Sequence, residues 1–229
     1  MKATDWTARV RDHLASYSPQ ASRLGFEPDR ILLTRGALDT PERQVFAERL
    51  DAAFPEATLV DARDRTHMQL RGLLPKGDDV ARREVGRRTL VVGTIGQPLK
   101  MARETGVVCP DHLAASPTAY CTYACSYCYL AGSASTLVAP VAKVFVNLED
   151  VLEAIGRRDR RMKRPASLYV GKLQDALGLD PLTGFSRVLV PVVATQQHAR
   201  LVLLTKSDAV DNLLDLDHRG HTIVTWSLN

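Results

Sequence analysis

The chain has 229 residues, 45% of them hydrophobic and 24% charged, with a net charge of +4. That length can bury a substantial core, as one large domain or two small ones. No apolar run is long enough to span a membrane, the N-terminus has no stretch of signal-peptide type, and the basic excess mildly favours polyanionic partners.

In chain order, Arg30–Thr34 reads as a short strand. A helix starts at Asp39 or Thr40 as cap, with Pro41 in its first turn, and continues through Val45, Phe46, Leu50 and Phe54. Ala57–Val60 and Thr89–Gly93 are further strands, and the polar stretch Arg63–Arg71 lies between them before a Pro/Gly turn. The second half alternates more regularly. Lys143–Val146 is a strand and is followed by a helix from Asn147 to about Ile155. Strand-like runs come at Ser167–Lys172, Arg200–Thr205 and Thr222–Trp226, with helical segments over Leu182–Thr195 and Asp208–Leu216 between them. Apolar strands alternating with helices predict parallel βαβ units. The expected fold class is α/β, with a small N-terminal α/β region over residues 1–108 and a partial barrel of about four core strands over 109–229.

Chemistry in such sheets gathers at the carboxyl ends of the strands. Those ends carry Lys172, Gln174 and Asp175, then Thr205, Lys206 and Ser207, then Ser227 and Asn229. A solvated strand end is the plain alternative for these residues, and a helix cap is the alternative for Asp175. Between residues 157 and 164 six of eight residues are basic, which marks a candidate phosphate contact or an exposed helix end. No aromatic residues are interleaved with them, so the run is unlike a single-strand stacking platform.

Cys121, Cys125 and Cys128 form a C-x3-C-x2-C motif with Tyr120, Tyr123, Tyr127 and Tyr129 around it. Three crowded cysteines among four make a disulfide framework a poor reading and fit metal-bound thiolates in a reducing cytoplasm. Thiolates at this spacing can hold three corners of an iron–sulfur cubane and leave one iron open to a substrate or cofactor. The rival is a zinc site with Cys109 as fourth ligand, although its C-x11-C-x3-C-x2-C spacing lacks the usual paired knuckles. Otherwise Cys109 is a spare thiol in a loop.

The motif, with an aromatic residue before the last cysteine, resembles the radical S-adenosylmethionine (radical SAM) superfamily. More narrowly, Cys125–Leu130 resembles the spore photoproduct lyase family, as do His67–Arg71, Arg88–Gly93, Phe145–Asn147, Gly178–Thr183, Leu204–Lys206 and Trp226–Asn229. The resemblance implies a barrel of radical SAM type. It implies a [4Fe-4S] cluster on Cys121, Cys125 and Cys128 and S-adenosylmethionine on the fourth iron. It also implies a 5′-deoxyadenosyl radical acting on a thymine photoproduct in DNA, and an electron donor such as flavodoxin or ferredoxin. Tyr127, Gln174, Lys206 and Ser227 would then lie at the cofactor, with Tyr127 and Tyr129 as candidate catalytic residues in radical relay. Two departures stand out. Lys172 occupies the register of the family's hydrogen-donating cysteine, with Gln174 where a serine is expected, and no cysteine follows Cys128. The chain also ends at what reads as the fourth core strand, where such barrels usually have six, so a C-terminal truncation is expected.

Overall fold

The computed structural model describes residues 3–70, 72–74, 78–102, 112–123, 125–128, 141–171 and 174–228. Two five-stranded sheets organise it. The first is built on β1 (Arg30–Thr34), which pairs in parallel with β2 (Thr58–Ala62) and β3 (Thr89–Gly93). Ile31, Leu32, Leu33, Leu90, Val91 and Val92 are all buried, so these strands are apolar on both faces, as central parallel strands require. Between β1 and β2 runs α2 (Pro41–Ala53), with Pro41 in its first turn and the Thr40 hydroxyl accepting from the Arg43 N–H.

The second sheet carries β4 (Leu99–Ala102) and β5 (His112–Ala115), which pair antiparallel. β5 pairs in parallel with β8 (Ala166–Val170), β8 with β9 (Ala199–Thr205), and β9 with β10 (Thr222–Trp226). The runs expected at 167–172, 200–205 and 222–226 therefore lie side by side and parallel. The strand expected at Lys143–Val146 is β7 (Ala142–Phe145), but it joins the first sheet, in parallel with β3 and antiparallel to the two-residue β6 (Thr118–Ala119). The fourth parallel strand of the second sheet is β5, a short run that apolar pattern alone does not reveal.

Helix α1 (Ala3–Ser16) presents Trp6, Val10 and Leu14 at four-residue spacing to the core. Trp6 packs on α4 (Leu148–Asp159) where only a glycine fits: a Cβ on Gly156 would stand 2.2 Å from the indole. One continuous core joins these helices to both sheets, and a smaller cluster of Leu32, Leu70, Leu74, Val91 and Val141 covers the other face of the first sheet.

The helix expected over Leu182–Thr195 is two helices, α5 (Asp180–Thr183) and α6 (Ser186–Val193), divided at the left-handed Gly184. The helix expected over Asp208–Leu216 is a single 3-10 turn, Asp211–Leu213. Side chains there bond elsewhere and compete with a helix: the Asn212 amide donates to Asp180 and to the Tyr17 hydroxyl, and Ser207 Oγ accepts from the Ala209 N–H. Among the described residues no helix is long and apolar enough to cross a membrane.

Candidate functional site

The site is assembled on the carboxyl edge of the second sheet. Just beyond β8, Gly171 adopts φ +106°, and a Cβ there would lie 2.2 Å from the Leu204 carbonyl oxygen. Glycine thus lets the ends of β8 and β9 approach closely. The Asp175 carboxylate then ties these ends together. It accepts from Thr205 Oγ1 at 2.5 Å, the Lys206 N–H at 2.7 Å, the Gly178 N–H at 2.8 Å and the Leu177 N–H at 3.0 Å. Asp175 therefore caps the turn leading to α5 and fixes the start of the loop after β9 at once.

The cysteine loop lies on this edge. Tyr120 bridges Gln174 in parallel, and its φ is +62°. Cys121, Cys125 and Cys128 are half-buried free thiols, and the Cys128 N–H donates to the Cys125 carbonyl at 3.1 Å. Burial pushes the Cys121 thiol up to about 11, against a lowering contact from the Tyr123 N–H, and the charges of Asp175, Cys125 and Cys128 add to the rise. Three thiolates so placed repel one another and lose hydration, and a positively charged group bound by all three relieves both penalties. Among the described residues no three His, Cys, Asp or Glu side chains converge as the ligands of a single ion would. Cysteine sulfurs on one loop are the donor type a cubane takes, each on a different iron.

Lys206 and Ser227 meet where β9 and β10 end. Lys206 Nζ donates to the Ser227 carbonyl at 2.9 Å and to Ser227 Oγ at 2.8 Å. The same ammonium lies 5.3 Å from the centroid of the Tyr127 ring, within cation–π range. Tyr127 is 60% exposed, so its ring is open to a ligand. The structure thus brings Tyr127, Lys206 and Ser227 together. Gln174 is set apart: it is buried, and its amide donates to the Ala115 carbonyl. Tyr129, Cys109, Lys172 and Asn229 lie outside the described residues.

Two further residues join the site without having been singled out from sequence. Tyr123 packs on Gly178 and hydrogen-bonds Ser207, which places a second tyrosine of the loop against the β9 end. Lys143 of β7 comes from the first sheet. It is fully buried, donates to the His67 carbonyl at 2.9 Å, and lies 5.4 Å from the Tyr120 ring centroid. A lone lysine inside an apolar strand was the available sequence signal for it.

A parallel sheet with a three-cysteine loop at its carboxyl edge is the radical SAM type of fold. The family model described as spore photoproduct lyase matches residues 26–229, and the chain belongs to that family. Spore photoproduct lyase of Geobacillus sp. (strain Y412MC61) is 29% identical over 206 residues, covering 89% of this chain and 57% of that protein. The Bacillus subtilis (strain 168) enzyme is 27% identical over 210 residues, with the same shares. A solved spore photoproduct lyase complexed with dinucleoside spore photoproduct superposes at TM-score 0.75 and 25% identity, covering 89% of this chain and 57% of its own. A variant lyase with bound AdoMet and dinucleoside spore photoproduct gives TM-score 0.75 at 24% identity. The chain spans 57% of the length of these curated relatives.

Proposed function

We propose that this chain forms the cluster- and cofactor-binding part of a radical SAM enzyme that repairs a thymine photoproduct in DNA, working in a reducing cytoplasm with a flavodoxin- or ferredoxin-type electron donor. The observation that carries the reading is the loop of three half-buried thiols, Cys121, Cys125 and Cys128, facing Lys206 and Ser227 across one sheet edge. These cysteines would hold the [4Fe-4S] cluster. When bound, such a cluster would supply the one-electron reductive chemistry that S-adenosylmethionine cleavage needs. The protein positions, shields and tunes. Lys206 and Ser227 offer a cation and a hydroxyl to a carboxylate or ribose, and the exposed Tyr127 ring offers a face to adenine. Tyr127 or Tyr129 would serve as the donor that returns a hydrogen atom. Gln174 has its side-chain amide committed to the Ala115 carbonyl.

The test is anaerobic reconstitution with iron and sulfide. About four irons and four sulfides per chain are expected, as the cluster formula requires. Alanine at Cys121, Cys125 or Cys128 should abolish the cluster, while Cys109→Ala should retain it. Tight zinc uptake without a charge-transfer band would overturn the reading.

Lys172 favours a second reading, in which the same radical chemistry serves a non-DNA substrate. A lysine ammonium has no weak bond from which to donate a hydrogen atom. Reductive cleavage of S-adenosylmethionine with no repair of a dinucleotide photoproduct would support it. Efficient turnover to thymidine dinucleotide would remove it.

A further inference from the structure

The basic run between residues 157 and 164 ends α4 and leads into the first residue of β8, so it sits at the amino edge of the second sheet. The cysteine loop sits at the carboxyl edge, and a five-residue strand separates the two by roughly 15 Å. The run is therefore displaced from the candidate reaction site. Part of it lines a cavity of about 320 Å³.

Arg158, Lys163 and Arg164 supply three cations to this cavity, and Met101, Leu113 and Met162 supply an apolar wall. The acids nearest in sequence are engaged elsewhere. Glu153 pairs with Arg157, and the Asp159 carboxylate accepts the backbone N–H groups of Gln197, His198 and Ala199. Among the described residues no ion pair involves Arg158, Lys163 or Arg164. The cavity's remaining polar group is His112, the first residue of β5, whose ring lies 4.5 Å from that of Tyr169. Its Nε2 is buried and, among the described residues, has no hydrogen-bond partner. A buried imidazole nitrogen without a partner costs free energy, and a ligand that meets it recovers that cost.

We propose that this cavity binds a phosphomonoester of nucleotide size. Two guanidinium forks and an ammonium match a dianionic phosphate. The volume and the methionine–leucine wall suit a compact organic body beyond the phosphate, and His112 Nε2 supplies a directional contact. Bare phosphate would leave the apolar wall unused. A DNA backbone lying along the surface would need neither the concavity nor the buried imidazole. The site is separate from the proposed reaction and does not depend on it.

Adenosine 5′-monophosphate is a suitable probe, titrated calorimetrically into the whole chain with adenosine and inorganic phosphate as controls. Saturable binding at one site is expected, with both controls at least tenfold weaker. Arg164→Gln and Lys163→Gln, both solvent-side changes, should each weaken binding about tenfold, and His112→Ala should weaken it with the fold intact by circular dichroism. Absence of binding, or binding unchanged in the Arg164→Gln and Lys163→Gln chains, would overturn the proposal. So would loss of binding in Cys121→Ala alone, which would assign the nucleotide to the opposite edge. Affinity for oligonucleotides that rises with length, without saturation by the mononucleotide, would also overturn it, because the cations would then be a plain polyanion surface.

Discussion

Two lysines, one from each sheet, face tyrosines of the same cysteine loop in opposite surroundings. Lys143 stands 5.4 Å from the Tyr120 ring and Lys206 stands 5.3 Å from the Tyr127 ring. Lys143 is 1% exposed, and among the described residues its polar contacts are the His67 carbonyl and the Met68 sulfur. Lys206 is exposed and bonds Ser227. Near-equal contact geometry therefore carries unequal costs. Burial pushes Lys143 down to about 8, and among the described residues it has no counter-anion. A depression of that size corresponds to a penalty on the order of 3 kcal/mol at neutral pH. Lys143 holds one end of the loop at the expense of stability, whereas Lys206 bears little such penalty and is free to change partner.

Removing the anchor of one lysine breaks the symmetry most strongly. Asp175→Ala deletes the acceptor for Thr205, Lys206, Leu177 and Gly178. It should cost on the order of 3 kcal/mol in urea unfolding, since buried donors are left unpaired. It should also release Lys206 while leaving Lys143 in place. Lys143→Met works in the other direction. It should raise stability at pH 7 by about 1–2 kcal/mol, because the desolvation penalty goes and the lost bond to His67 offsets only part of it. The sign can be checked against pH. The folded lysine titrates near 8 and the unfolded one near 10.5, so between these values the unfolded chain holds more protons. Wild-type stability should climb with pH across that window, and the Met variant should lose the climb.

His67 gives a smaller, linked effect. Burial first, and the Lys143 charge second, lower it to about 4. The unfolded imidazole takes its proton near 6.5, so stability should fall as the pH drops from 6.5 toward 4 and level off below. In Lys143→Met the levelling should begin at higher pH, because one of the two causes is gone. Chemical-denaturation curves of both chains at pH 4 to 7 would detect it. An unshifted acid limb would mean that Lys143 and His67 do not interact.

The same contrast separates what sequence made legible from what it did not. β1, β3 and β10 have the bounds expected from their apolar runs; for β1 and β3 the reason is burial on both faces, whereas β10 keeps its apolar run although none of its residues is buried. Thr40 and Pro41 marked the start of α2 because capping chemistry is local. Sheet membership is a non-local property, and so β7 was placed with the wrong neighbours and β5 went unread. In the site, the cysteines were legible from spacing, and Lys206 and Ser227 from family resemblance. Asp175 was visible as a polar strand end or a helix cap, but its role as a tie was not, since its bonds to Thr205 and Lys206 span about thirty positions. Lys143 carried no motif; its place inside an apolar strand was a weak signal, and its burial beside Tyr120 shows only in the fold. The His112 cavity was illegible for the same reason: it draws on β4, β5, the end of α4 and the start of β8.

Lys206→Met is expected to have the smallest effect on folding and the sharpest effect on binding. The ammonium is exposed, and its bonds to Ser227 are open to competing water. Exposed contacts of this kind contribute little, so stability should move by less than about 0.5 kcal/mol. The cation–π contact with Tyr127 is also solvent-facing and adds only a similar amount. A bound carboxylate changes the balance, because the ammonium then meets a full charge on a partly dehydrated sheet edge. Loss of one such charge-assisted bond should weaken binding of S-adenosylmethionine to the reconstituted chain roughly tenfold, about 1.4 kcal/mol. Lys206→Arg should recover part of that affinity by keeping the charge. The comparison with Lys143 is then direct: Lys143→Met should change stability more than cofactor affinity, and Lys206→Met should do the reverse. Equal affinities for wild type, Lys206→Met and Lys206→Arg would show that Lys206 is only a solvated strand end.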